Sequence, residues 1–75
     1  MNRDEIRRIA ESLINRTDMK QCSARFAEIR EDDRYPNEYT VIFDLISSTG
    51  TLIDSPILVV VDKTSKNARF LGNAL

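Results

Sequence analysis

Ile57-Leu58-Val59-Val60-Val61 is the longest uninterrupted apolar run in the chain. It is rich in β-branched residues, whose restricted χ1 suits a pleated backbone, and a polar stretch, Asp62-Lys63-Thr64-Ser65-Lys66-Asn67, follows it before apolar character returns in Ala68-Arg69-Phe70-Leu71. That pattern reads as a buried strand, a turn and a returning strand. Pairing outward from the turn sets Val61 beside Ala68, Val59 beside Phe70 and Leu58 beside Leu71. The last strand then runs out near Pro56, which has no N–H to donate and needs no partner on that side.

The preceding segment supplies the neighbour on the other edge. Tyr39, Val41, Phe43 and Leu45 alternate with Thr40, Ile42, Asp44 and Ile46, the period of two expected of a strand with one face on a core. Ser47-Ser48-Thr49-Gly50 gives the turn, with Gly50 free to take a positive φ. A loop of Ser48 to Gly50 makes Ser47 face Thr51, Leu45 face Ile53, Phe43 face Ser55 and Val41 face Ile57.

Upstream, Ile6, Ile9, Ala10, Leu13 and Ile14 form the stripe of a helix lying on a core. Asn2 caps it, Glu5 three residues later gives a capping-box-like start, and Asp4 with Arg8 forms an i, i+4 pair. The helix should fray from Asn15 to Asp18. Between Met19 and Glu31 two patterns compete. Met19, Cys22, Phe26 and Ile29 recur at helical spacing, whereas Ala27, Ile29 and the flanking charges fit a strand. A strand is the reading adopted, with a second short helix as the alternative, because Asp32-Asp33-Arg34-Tyr35-Pro36-Asn37 carries strong turn chemistry and the strand after it needs an antiparallel neighbour.

The expected architecture is therefore α+β, one N-terminal helix packed on a four-stranded antiparallel meander, with residues 1–75 as one small domain. Its expected core is Ile6, Ile9, Leu13, Ile14, Val41, Phe43, Leu45, Ile53, Ile57, Val59, Val61, Ala68 and Phe70. The tail Gly72-Asn73-Ala74-Leu75 is not placed by any pattern. A chain of 75 residues buries a modest share of its surface, so help from a partner is plausible on size alone.

Charge and composition narrow the function classes. The 11 basic and 12 acidic residues are interspersed, so long-range attraction to nucleic acid or an anionic membrane is not expected. Arg25, Arg30 and Arg34 with Phe26 and Tyr35 form a weak basic-aromatic cluster that Glu28, Glu31, Asp32 and Asp33 cancel; it defines the competing reading, a small nucleic-acid-binding protein. With no histidine and a single cysteine, Cys22, neither a common zinc site nor an internal disulfide can be built. Cys22 reads as a small half-buried residue. The N-terminal residues lead into a charged amphipathic segment, so neither a signal peptide nor a membrane span is expected and the cytoplasm is the expected compartment. Catalysis has little support without an acid-base histidine, a glycine-rich phosphate loop or a nucleophile motif, and no cofactor or small-molecule substrate is indicated.

Strand parity points to where function sits. Ile42, Ile46, Leu52, Leu58, Val60 and Leu71 fall on the face the helix does not cover, an apolar surface that a protein partner or a second copy of the chain would bury. The tail or the Met19 to Ile29 segment folded over that face is the alternative. Asp44 and Asp54 fall opposite each other on the same face. Arg25 or Arg69 is expected to bridge them, because two carboxylates alone make a poor metal site. Asp54 and Pro56 before the apolar run, with Asp62 and Lys63 after it, act as gatekeepers against aggregation.

Ser55-Pro56-Ile57-Leu58-Val59-Val60-Val61-Asp62-Lys63, followed by a turn and Phe70-Leu71-Gly72, resembles the closing hairpin of small bacterial immunity proteins of toxin systems. The valine-rich strand ending in Val61-Asp62 also looks like PepSY-type domains. The likeness covers the C-terminal hairpin alone. Ser65-Lys66-Asn67 stands where a glycine usually completes the turn, so Asn67 is expected to adopt the left-handed conformation. The first resemblance implies binding and neutralising a partner protein, and the second a periplasmic or extracellular inhibitory module, which the expected lack of a signal peptide disfavours. Neither carries over a functional residue.

Overall fold

The computed structural model describes residues 1–71, so the tail Gly72 to Leu75 lies outside the described residues. Its elements are α1 (Arg3–Asn15), β1 (Ser23–Glu31), β2 (Glu38–Ile46), β3 (Leu52–Asp62) and β4 (Ala68–Phe70). The strands form one antiparallel sheet in the order β1-β2-β3-β4, with α1 laid across one face. The α+β meander expected from the sequence is the observed architecture, and the segment with two competing patterns is a strand.

The first turn of α1 follows from its composition. Asn2 is extended and its side chain accepts the Glu5 N–H at 2.8 Å, which satisfies one of the amides a helix start leaves unpaired. The Glu5 carboxylate does not close a capping box; it reaches Lys66 Nζ at 3.3 Å and ties the helix start to the β3–β4 turn. The i, i+4 pair that forms is Arg7 with Glu11 at 3.1 Å rather than Asp4 with Arg8. Helical geometry ends at Asn15, where the fray was expected.

Ile6, Ala10 and Ile14 of α1 are buried against Val41, Phe43, Ile57, Val59 and Val61. Ile9, Leu13, Leu45, Ala68 and Phe70 pack at the margin of this cluster, and Phe26 meets Phe43 edge-on with ring centroids 6.1 Å apart. Burying a side chain of this size stabilises the fold by roughly 1.5–3 kcal/mol, so these few residues carry most of the driving force. Ile53, expected in the core, is only half-buried and lies outside the cluster.

Two irregularities shape the sheet. On β1, Phe26 faces Phe43 but Glu28 faces Ile42, which leaves Ala27 as an extra, exposed residue. On β3, Leu45 faces Ile53 as expected, yet Phe43 faces Ile57 and Val41 faces Val59, so the expected pairs Phe43 with Ser55 and Val41 with Ile57 do not form. Asp54, Ser55 and Pro56 lie opposite Asp44 alone, two residues in excess. A proline cannot donate to the ladder, and looping it out lets Ile57 pair regularly. An even excess preserves parity, so the residues on either side of the bulge keep their faces. The final hairpin keeps the expected register, Val61 with Ala68 and Val59 with Phe70.

The turns use local side-chain bonds. In the β2–β3 loop Gly50 has φ 86° and its N–H bonds the Ser47 carbonyl at 2.9 Å. In the β3–β4 loop it is Lys66, not Asn67, that is left-handed, with φ 62°. The Asp62 carbonyl accepts the Lys66 N–H at 2.9 Å while the Asp62 N–H donates to the Asn67 carbonyl at 2.9 Å, so the reversal is completed at Lys66, and Asn67 leads directly into β4. Between α1 and β1, Lys20 and Gln21 are both left-handed (φ 53° and 70°) and the Cys22 N–H bonds the Met19 carbonyl at 3.0 Å, the geometry of a type I′ turn.

Candidate functional site

The outer face of the sheet, opposite α1, is built by strand parity. Ile42 on β2 pairs with Leu58 on β3, and the Leu71 N–H donates to the Leu58 carbonyl at 2.9 Å, which sets Leu71 beside Leu58. Ile42, Leu58 and Leu71 line one groove, rimmed by Thr40, Arg30 and the β1–β2 turn residues Asp32 and Asp33. Leu71 is 43 % exposed. Ile46 pairs with Leu52, which is 59 % exposed, but this couple lies beyond the β3 bulge. The outer face therefore holds two apolar patches where the sequence suggested one.

Val60 belongs to this face by parity yet is only 3 % exposed. Its register partners are Thr40 on β2 and Arg69 on β4. Arg69 Nη2 contacts Glu38 Oε2 at 2.9 Å, and because Glu38 is on β2 the ion pair arches over β3 and covers Val60. Val60, expected among the open residues, is thus covered, and Arg69, expected to bridge the aspartates, is engaged with Glu38 instead. The strap was not readable from spacing because it needs the registers of three strands at once.

The aspartates are resolved differently from expectation. Asp44 is held by Arg25 Nη2 at 3.2 Å across β1 and β2, as one of the two expected arginines. Asp54 sits in the bulge and does not pair with Asp44 in the ladder. Among the described residues no group of three or more His, Cys, Asp or Glu side chains is placed to hold a metal ion.

The basic-aromatic cluster is brought to one edge, where each guanidinium has its own carboxylate. Arg25 meets Asp44, Arg30 meets Glu28 at 2.8 Å, and Arg34 meets Asp32 at 2.8 Å. Tyr35 is 58 % exposed and lies under the Arg34 guanidinium, 6.0 Å from the ring centre. The side-chain hydrogen bond from Arg34 holds the Asp32 carboxyl below the usual carboxylate range and raises the arginine in turn. A phosphate backbone approaching this edge would have to displace three local pairs.

Asp62 anchors the other end of the face. The Ser65 and Thr64 N–H groups, each 2.8 Å from its Oδ1, keep its carboxyl below the usual range. Asn37 joins this turn to the β1–β2 loop, its carbonyl accepting the Lys63 N–H at 2.9 Å and its Oδ1 accepting the Thr64 hydroxyl at 3.0 Å. No family model, curated protein or solved structure matches the chain. Among the described residues, no helix is long and apolar enough to cross a membrane.

Proposed function

We propose that this chain is a non-enzymatic protein-interaction module whose outer sheet face binds a protein, in the first instance a second copy of itself. The observation that carries the reading is the row Ile42, Leu58 and Leu71, three neighbouring apolar side chains on a sheet face that α1 does not reach. The Met19 to Ile29 segment, which could have folded over that face, is committed to the sheet as β1 and the turn before it. Apolar surface grouped in this way gains free energy when removed from water. Two copies meeting face to face would bury it with the least new chemistry, because a two-fold contact needs a single self-complementary patch.

The same reading places the protein in the cytoplasm, where a lone thiol such as Cys22 stays reduced. It also agrees with the resemblance of the C-terminal hairpin to toxin-immunity proteins, which act by occupying a partner. Analytical ultracentrifugation of the wild-type chain and of Leu58→Lys tests it. The expected result is self-association that rises with concentration and is lost in the variant, whose circular dichroism is unchanged. A wild-type chain that sediments as a monomer throughout, or arginine-centred shifts at Arg25, Arg30 and Arg34 on adding an oligonucleotide, would overturn it.

A further inference from the structure

On the opposite side of the molecule from the apolar row, a groove runs between α1 and the start of β4. It is lined by Arg8, Ile9, Ser12 and Arg16 of the helix and by Lys66, Asn67 and Ala68 of the last hairpin. Three cations line it and no carboxylate does. Arg7, Arg25, Arg30, Arg34, Lys63 and Arg69 each sit within 3.2 Å of an acidic partner, whereas Arg8 and Arg16, like Arg3 and Lys20 outside the groove, have no carboxylate within ion-pair distance among the described residues. What sets the groove apart is that two such arginines share it with a lysine.

The spacing sets the two arginines along one side of the helix. Arg8 and Ser12 lie four residues apart on α1, Arg16 follows four residues later at its C-cap, and Arg16 Nε donates to the Ser12 carbonyl at 3.2 Å. The third cation comes from the β3–β4 turn, where Lys66 is left-handed with φ 62° and its side chain lines the groove. Its one acidic contact, Glu5 at 3.3 Å, is partly exposed and exchangeable.

We propose that this groove binds a phosphate-bearing small molecule, with Arg8, Arg16 and Lys66 neutralising the anion and the Ser12 hydroxyl and Asn67 amide donating neutral hydrogen bonds. Guanidinium groups match phosphate oxygens in a planar fork, and Ile9 and Ala68 give the site an apolar floor for an uncharged substituent. The site is independent of the sheet-face reading and does not require a dimer.

Titration of the full 75-residue chain with inorganic phosphate and with pyrophosphate at constant ionic strength, read by amide and guanidinium NMR, tests the proposal. The expected result is saturable shifts confined to Arg8, Ser12, Arg16, Lys66 and Asn67. Arg8→Gln/Arg16→Gln should weaken binding by at least about tenfold, the usual loss for a charge-assisted contact, while Arg25→Gln leaves it unchanged. Both arginines of the double variant are exposed, so its fold should be retained. Shifts no larger than those from chloride, shifts spread over all arginines, or equal weakening by Arg25→Gln would overturn it.

Discussion

Lys66 shows how a single residue can work against the fold that contains it. A left-handed backbone costs a residue with a Cβ about 1–2 kcal/mol, and its exposed bond to Glu5 returns at most a few tenths. Lys66→Gly should therefore raise unfolding stability by about 1 kcal/mol in urea titration, and it should weaken phosphate binding in the groove at the same time. Asp62 works in the opposite sense, and its effect depends on pH. Its carboxyl is held below its unfolded value by the Ser65 and Thr64 amides, so its contribution is complete above the unfolded pKa and is lost as pH falls through the folded one. Unfolding free energy should decline as pH falls below the unfolded carboxylate value, and Asp62→Asn should lessen that decline while leaving the part that comes from Asp32, whose carboxyl is lowered too. The left-handed residue was misplaced by one position from sequence, because the polar stretch offers Asn67 as the better former and only the bonds of Asp62 to Lys66 and Asn67 show where the chain reverses.

Among the elements, α1 was legible in its extent, apolar stripe and Asn2 cap because these are local signals, whereas the partners of Glu5 and Arg8 were not. β1 was not, and the reason lies in Ala27. The extra residue moves Ile29 onto the same face as Phe26, three positions apart, which imitates helical spacing inside a strand. The β3 bulge was hidden for a related reason: Pro56 announces a missing donor but not how many residues the ladder will skip. Parity survived because the number skipped is even, so the outer residues named from sequence keep their side although their partners change. The turn before β1 offers a direct test. Lys20 and Gln21 occupy both left-handed positions of a type I′ turn, which Asn-Gly fills with least strain. Lys20→Asn/Gln21→Gly should raise the urea midpoint, with a gain of about 1–2 kcal/mol and an unchanged dependence on denaturant.

For the whole molecule, the sheet separates two chemistries. The helix side carries the groove lined by Arg8, Arg16 and Lys66 and the outer side carries the apolar row, so a partner on one need not exclude a ligand on the other. The apolar side was anticipated in outline from alternation alone. Its division into two patches and the loss of Val60 from it were not, since both arise from contacts between residues far apart in the chain. Arg69→Ala should uncover Val60 and increase binding of a hydrophobic dye, at a stability cost of no more than about 1 kcal/mol.

The cover over Val60 is held by opposite charges, and dissolved ions weaken such attractions while leaving greasy contacts intact or stronger. Brine should thus bare more of the sheet and make it stickier. The self-association proposed for this face should then be stronger in concentrated electrolyte than in dilute buffer, the reverse of what charge-steered pairing would give.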